Sequence, residues 1–164
     1  MIEIIDNFLT NKEIDFLTTE MVKGSWELGG SSNKNSVNPI FWYKNIINTD
    51  ICELFLDTIQ RGINRKIIID RLYVNGQAHG QCGFWHTDVE PGHNNCFTVV
   101  YFNKEWLPEY GGHLLIRSSP VISILPEFNK AVLFDSTLEH MGMEPTVHCK
   151  TQRESIACKF KVLV

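Results

Sequence analysis

The chain has 164 residues, 43% of them hydrophobic and 21% charged, which is enough material for one ordinary globular domain with a single core. A formal net charge of −4 and the lack of any basic run argue against a general nucleic-acid groove, so no nucleic-acid partner is expected. No apolar stretch approaches a membrane span, residues Met1 to Asp6 lack the basic region of a secretory leader, and the five scattered cysteines form no Cys-x-x-Cys, so the expectation is a cytoplasmic protein with free thiols and no membrane association.

Asp6 to Thr10 reads as a strand-like entry. Thr10 or Asn11 can cap a helix that starts near Lys12, carries Ile14, Leu17 and Met21 at helical spacing, and stops at Gly24. Gly29 to Pro39, rich in Ser and Asn, reads as a loop, and Pro39 to Tyr43 as a short aromatic strand. A second amphipathic helix is expected from Asn48 or Thr49 to about Gly62, with Ile51, Leu54, Phe55, Thr58 and Ile59 on its inner side.

From Ile67 the texture changes to short β-rich runs: Ile67–Val74, Gly83–Asp88, Phe97–Phe102, His113–Ile116, Val121–Ile124, Ala131–Phe134 and Ser155–Val164. Asn75-Gly76, Pro91-Gly92, Gly111-Gly112 and Pro126 punctuate them as turns. About seven or eight strands at this spacing suggest a sandwich or open barrel. No repeat or linker is visible. The reading is therefore one domain over 1–164, mainly β with flanking helices, in which 1–66 supply supporting helices and an edge strand and 67–164 the β core.

The informative motif is His86-Thr87-Asp88. In an extended segment alternate side chains share a face, so His86 and Asp88 can point into one cavity. With the distant His140 they make two imidazoles and a carboxylate, the ligand set of a non-haem Fe(II) site with open positions. Alone the spacing is weak, because a histidine hydrogen-bonded to a nearby acid is a common structural arrangement. His140, however, follows the apolar strand Ala131–Phe134, where a β-barrel would present a ligand at its mouth. Arg153, Ser155 and Ala157 share one face of the last strand, opposite Ile156, Cys158 and Phe160, and a guanidinium there can fork-bind a carboxylate. Tyr73 and Tyr101, in strands on either side of the His86 segment, bring phenols within reach of a bound acid or serve as amphipathic core. His79 and His93 are expected to face solvent, His148 and Cys149 to lie on the surface or in a lid, and Phe84 and Trp85 to pack inward rather than line the mouth.

In order, Arg71-Leu72-Tyr73, Phe84-Trp85-His86-Thr87-Asp88, Val99-Val100-Tyr101-Phe102-Asn103, Trp106, Gly111-Gly112-His113-Leu114-Leu115-Ile116, Phe134 to His140 and Arg153-Glu154-Ser155 resemble the prolyl 4-hydroxylase branch of the Fe(II)/2-oxoglutarate dioxygenases. The resemblance spans roughly residues 67–163. It implies a double-stranded β-helix (jelly roll) with the N-terminal helices packed on one sheet. It implies Fe(II) held by His86, Asp88 and His140, with these three as the catalytic centre. It implies 2-oxoglutarate with its distal carboxylate on Arg153, assisted by Tyr101 and Ser155, and Tyr73 near its metal-chelating end. Dioxygen would be the other co-substrate, and ascorbate is a possible further cofactor. Asp88 favours hydroxylation, because halogenating relatives need that ligand position vacant.

Two departures bear on the substrate. Relatives that act on peptidyl proline often carry a tyrosine three residues before the first iron histidine, where this chain has Gly83. Collagen-type enzymes commonly use lysine where Arg153 stands. The leading expectation is a hydroxylase of a peptide or protein side chain, proline first. The alternatives are the same chemistry on a free amino acid or small metabolite, and a non-catalytic jelly-roll metal-binding protein. Oligomeric state is not readable from the sequence.

Overall fold

The computed structural model describes residues 1–32, 40–93 and 95–163, and the part of the expected Ser/Asn-rich loop from 33 to 39 lies outside them. The first third contains β1 (Ile2–Ile5), α1 (Asn11–Met21), β2 (Glu27–Gly30), β3 (Phe41–Asn45) and α2 (Thr49–Ile63). Both helices start at caps written in the sequence. The Thr10 hydroxyl accepts from the Glu13 amide while the Glu13 carboxylate accepts from the Thr10 amide at 2.7 Å, a reciprocal capping box. The Asn48 side chain accepts from the Asp50 amide at 2.8 Å, and α2 ends where Asn64 turns left-handed at φ 52°.

Three early expectations are corrected. The N-terminal strand is Ile2–Ile5, not Asp6–Thr10. The Asn129 side chain donates to the Leu9 carbonyl and accepts from the Leu9 amide, both at 2.9 Å, and so holds that segment as a pinned crossing. Gly29 and Gly30 belong to a strand rather than a loop, because Glu27 and Leu28 pair with Tyr43 and Trp42. Helix α1 ends at Met21, three residues before Gly24.

The remaining strands are β4 (Ile67–Gln77), β5 (Cys96–Phe102), β6 (Leu114–Ile116), β7 (Ile122–Ile124), β8 (Lys130–Asp135), β9 (His140–Gly142) and β10 (Arg153–Val162). They form an antiparallel seven-stranded sheet in the order β1-β8-β5-β10-β4-β3-β2 and a three-stranded sheet β7-β6-β9. The first 45 residues thus supply both edges of the large sheet. Asn75-Gly76 is no turn: it lies inside β4, paired with Ser155 and Glu154 on one side and with Tyr43 and Trp42 on the other. A residue paired on both sides has its backbone groups satisfied by the ladders, and this overrides local turn propensity. The His86 segment is no full strand either. It is tied to β9 by an isolated bridge, His86 to His140, which brings the two histidines together, and by the Gly83 amide, which donates to the Gly142 carbonyl at 2.9 Å.

Two apolar layers result. Leu17, Ile51, Phe55 and Ile59 of the helices pack on Leu72, Val74, Val99, Leu133, Ile156, Cys158 and Phe160 of the large sheet. Between the sheets lie Val100, Phe102, Val132 and Phe134 against Leu114, Ile116 and Ile124. This is a jelly roll with helices on one sheet. All five cysteines are free, and among the described residues no helix is long and apolar enough to cross a membrane.

Pairing fixes which side chains face away from the helices. Register shifts between Lys159 and Phe160, which oppose Arg71 and Ile69, so Asp70 is an extra, bulged residue. Before the bulge Ile67 and Ile69 face the helices, and after it Leu72 and Val74 do. Arg71, Tyr73, Asn75 and Gln77 are thereby turned to the other face, alongside Arg153, Ser155, Ala157 and Lys159.

Candidate active site

That face lines a cavity of about 470 Å³ between the large sheet, the β2–β3 edge and the His86 segment. Its wall includes His86, Asp88, His140, Arg153, Ser155, Tyr73, Gln77, Thr98 and Lys159.

The two histidines are held by the backbone. Mutual amide–carbonyl bonds at 3.1 and 2.9 Å tie His86 to His140, and the Asp88 amide donates to the Ser136 carbonyl at 3.0 Å. An Asx turn at Asp135, which accepts from the Thr137 amide at 2.9 Å, carries β8 round into β9 and delivers His140. The Nδ1 of His86 is bonded to the Phe84 carbonyl at 2.8 Å and that of His140 to the Leu138 carbonyl at 2.9 Å. A carbonyl only accepts, so Nδ1 carries the proton in both rings and each Nε2 offers its lone pair. These Nε2 atoms stand 3.7 and 3.6 Å from Asp88 oxygens, and the three donor groups lie within 4.8 Å of one another.

Burial opposes ionisation of Asp88, but His140, Lys159 and the hydroxyl of Thr98 outweigh it and hold its pKa below the usual carboxylate value. Thr98 donates to Oδ2 at 2.6 Å and in turn is bonded to Ser136 at 2.9 Å. The Lys159 ammonium stands 2.6 Å from Oδ1, a close buried ion pair. Burial depresses the pKa of His140 to about 4, with Asp88 opposing, so the ring is neutral near pH 7. Two imidazoles anchored through Nδ1, with their Nε2 atoms turned toward an ionised carboxylate, fit a divalent metal.

Arg153 occupies the far end of the cavity at 2% exposure. Its Nε donates to the Gly112 carbonyl at 2.6 Å, and Nη1 donates to Gln77 at 2.9 Å and Ser155 at 3.2 Å. Burial lowers its pKa to about 10, so it stays charged at neutral pH. Among the described residues it forms no ion pair, and its remaining nitrogen, Nη2, is left for a ligand. A buried cation without a counter-ion is costly, which calls for an anion in the cavity. Gly112 makes the arrangement possible: its φ is +70° and a Cβ there would stand 2.9 Å from Cδ of Arg153.

Tyr73 and Ser155 reach this cavity, but Tyr101 does not. Tyr101 pairs with Ile156, and cross-strand partners share a face, so its ring points to the helices. It is 1% exposed, packs 5.5 Å from Phe8 and 6.0 Å from Phe55, and donates to Asn129 at 3.4 Å. The neighbouring Val100 lines the cavity instead. His79 and His93 are exposed and outside the cavity wall. Phe84 is exposed rather than packed inward, and Trp85 is half-buried under the guanidinium of Arg117 at 4.6 Å. Sequence reasoning assigned no role to Gln77, Thr98, Lys159 or Arg71. Two-residue alternation from Arg153 through Ser155 and Ala157 reaches Lys159 directly, whereas Arg71 needed the bulge at Asp70.

Comparison with known proteins follows the same lines. No curated protein sequence matches the chain. Among solved structures, a prolyl hydroxylase from Trichoplax adhaerens in complex with a hypoxia inducible factor peptide fragment superposes with a TM-score of 0.76 at 21% identity, covering 98% of this chain and 83% of that one. A prolyl-4-hydroxylase from Pseudomonas putida gives 0.67 at 16% identity, covering 98% and 91%. HygX from Streptomyces hygroscopicus with nickel, 2-oxoglutarate and hygromycin B bound gives 0.72 at 9% identity, covering 98% and 82%. At such identities these likenesses establish the fold. The model of the 2OG-Fe(II) oxygenase superfamily matches residues 72–161, more than half of the chain and the whole stretch from Leu72 to Lys161 that builds the cavity's main walls, and the chain therefore belongs to that superfamily of Fe(II)- and 2-oxoglutarate-using oxygenases.

Proposed function

We propose that this protein hydroxylates a peptide or protein side chain, with peptidyl proline as the leading substrate, and that His86, Asp88 and His140 hold its Fe(II). The observation that carries the reading is the buried, acid-free Arg153 facing the same cavity as the two imidazoles and the carboxylate. In this reading Nη2 of Arg153 takes the distal carboxylate of 2-oxoglutarate, and Gln77, Ser155 and the Gly112 carbonyl orient the guanidinium. Tyr73, a neutral phenol whose pKa burial raises, lies toward the metal end. When bound, Fe(II) and 2-oxoglutarate supply an oxidant for a substrate C–H bond, with succinate and carbon dioxide as by-products.

The protein's own residues bind and orient. Thr98 and Lys159 keep Asp88 ionised, the two backbone-bonded Nδ1 atoms fix the imidazole tautomers, and the walls limit water. A peptide substrate is favoured by the complex of the Trichoplax enzyme with a peptide fragment. The same chemistry on a small molecule is the second reading, supported by HygX holding hygromycin B. Incubation of the Fe(II)-loaded protein with 2-oxoglutarate and a cell lysate, followed by a search for peptides heavier by one oxygen, tests the choice. Oxygen found on peptidyl proline supports the first reading, and oxygen confined to small metabolites refutes it. Failure to release succinate under any condition refutes oxygenase chemistry altogether.

A further inference from the structure

Arg71 and Lys159 are cross-strand partners facing the cavity. Like charges placed directly opposite are unfavourable, and here the bulge at Asp70 creates the juxtaposition. Both cations lie over the same ring, Arg71 at 4.2 Å and Lys159 at 5.5 Å from the Tyr73 centroid. Arg71 is exposed, and its hydrogen-bond partner is the neutral amide of Asn45 at 3.4 Å. Lys159 borrows Oδ1 of Asp88, which a metal would also claim. Asp88 is the sole acid among the described residues lining the cavity.

Charge balance then decides the matter. Asp88 and the two carboxylates of 2-oxoglutarate together answer a divalent metal and Arg153. Arg71 and Lys159 are left unanswered, at the metal end of the cavity and on its open side.

We infer that Arg71 and Lys159 form a substrate subsite for a carboxylate carried close to the C–H bond that is oxidised. The inference rests on the oxygenase reading above and narrows its substrate class to acidic molecules. A carboxylate between the two cations relieves their repulsion and replaces the oxygen that Lys159 gives up when Asp88 takes a metal. The source is either an acidic side chain next to the target residue of a peptide or the α-carboxylate of a free amino acid.

Calorimetric titration of the Mn(II)-loaded protein saturated with 2-oxoglutarate separates these sources. The probes are the peptide Gly-Glu-Pro-Glu-Gly against Gly-Gln-Pro-Gln-Gly, both with blocked ends, and L-proline against L-prolinamide. The carboxylate member of one pair is expected to bind about tenfold more tightly, and which pair shows it identifies the source. That preference should fall as salt is raised. It should shrink to about twofold or less in Arg71→Gln and recover in part in Arg71→Lys. Arg71 is exposed and outside both apolar layers, so these variants should fold. Equal binding within each pair, no binding by any of the four probes, or an undiminished preference in Arg71→Gln overturns the inference while the oxygenase reading stands. Failure of 2-oxoglutarate itself to bind the Mn(II)-loaded protein overturns both.

Discussion

Arg153→Lys keeps a positive charge and removes the planar fork. The guanidinium now serves the Gly112 carbonyl at 2.6 Å, Gln77 at 2.9 Å and Ser155 at 3.2 Å, with Nη2 to spare. A lysine ammonium has three donors on one atom and cannot reach these separated acceptors while also holding a carboxylate. At least one buried acceptor loses its donor, which costs about 1–3 kcal/mol of stability. Loss of the charge-assisted Nη2 contact to the distal carboxylate costs about 1.5–3 kcal/mol of binding, a weakening of roughly ten- to a hundredfold. The assay is calorimetry on Mn(II)-loaded protein with 2-oxoglutarate and with 2-oxovalerate, which has the same chain length but no distal carboxylate. The parent should prefer 2-oxoglutarate strongly. The variant should lose most of that preference through weaker 2-oxoglutarate binding, with 2-oxovalerate binding little changed. A folded Arg153→Lys protein that keeps the parent's preference would show that the distal carboxylate is held elsewhere.

Other consequences are equally direct. Thr98→Val removes the hydroxyl that bonds Asp88 at 2.6 Å and should weaken Mn(II) binding about 10- to 100-fold in a spin-resonance titration, whereas unchanged affinity would show that the bond does not tune the ligand. Tyr101→Phe should leave 2-oxoglutarate affinity unaltered and cost about 1 kcal/mol or less, since its hydroxyl bond is long at 3.4 Å, while Tyr101→Ala should cost about 3–5 kcal/mol in denaturant unfolding. A large drop in 2-oxoglutarate affinity for Tyr101→Phe would contradict its placement under the helices. In the metal-free protein, the pKa of His140 falls from 6.5 unfolded to about 4 folded, so the unfolded chain binds the extra proton as pH drops through that window. Stability from this group is full above about 6.5 and is lost towards 4, by roughly 3 kcal/mol at 1.36 kcal/mol per unit. Thermal melts of the His140→Gln variant should lack this component, and an identical acid profile in the variant would assign the loss to another group.

Much of this molecule was legible from local chemistry. The caps at Thr10 and Asn48, the inward stripes of the two helices and the alternation of β10 are short-range properties, and the structure follows them. The Phe134 to His140 connection and the His86-Thr87-Asp88 spacing pointed to the groups that share the cavity. A side chain's face follows from its own strand's alternation only when the register to a neighbour is known, and register is a long-range property. Tyr101 shows the consequence: its pairing with Ile156, 55 residues on, turns it to the helices and leaves Val100 at the cavity. Asn75-Gly76 reads as a turn in isolation and becomes the middle of a strand because partners arrive on both sides. The residue types and their order determined that two imidazoles, a carboxylate and an arginine are available as candidate ligands for a metal and an acid. Only tertiary pairing, through the bulge at Asp70 and the bridge from His86 to His140, decided that Arg71 and Lys159 stand beside them, because a bulge and a bridge are made by two segments and neither segment encodes them alone.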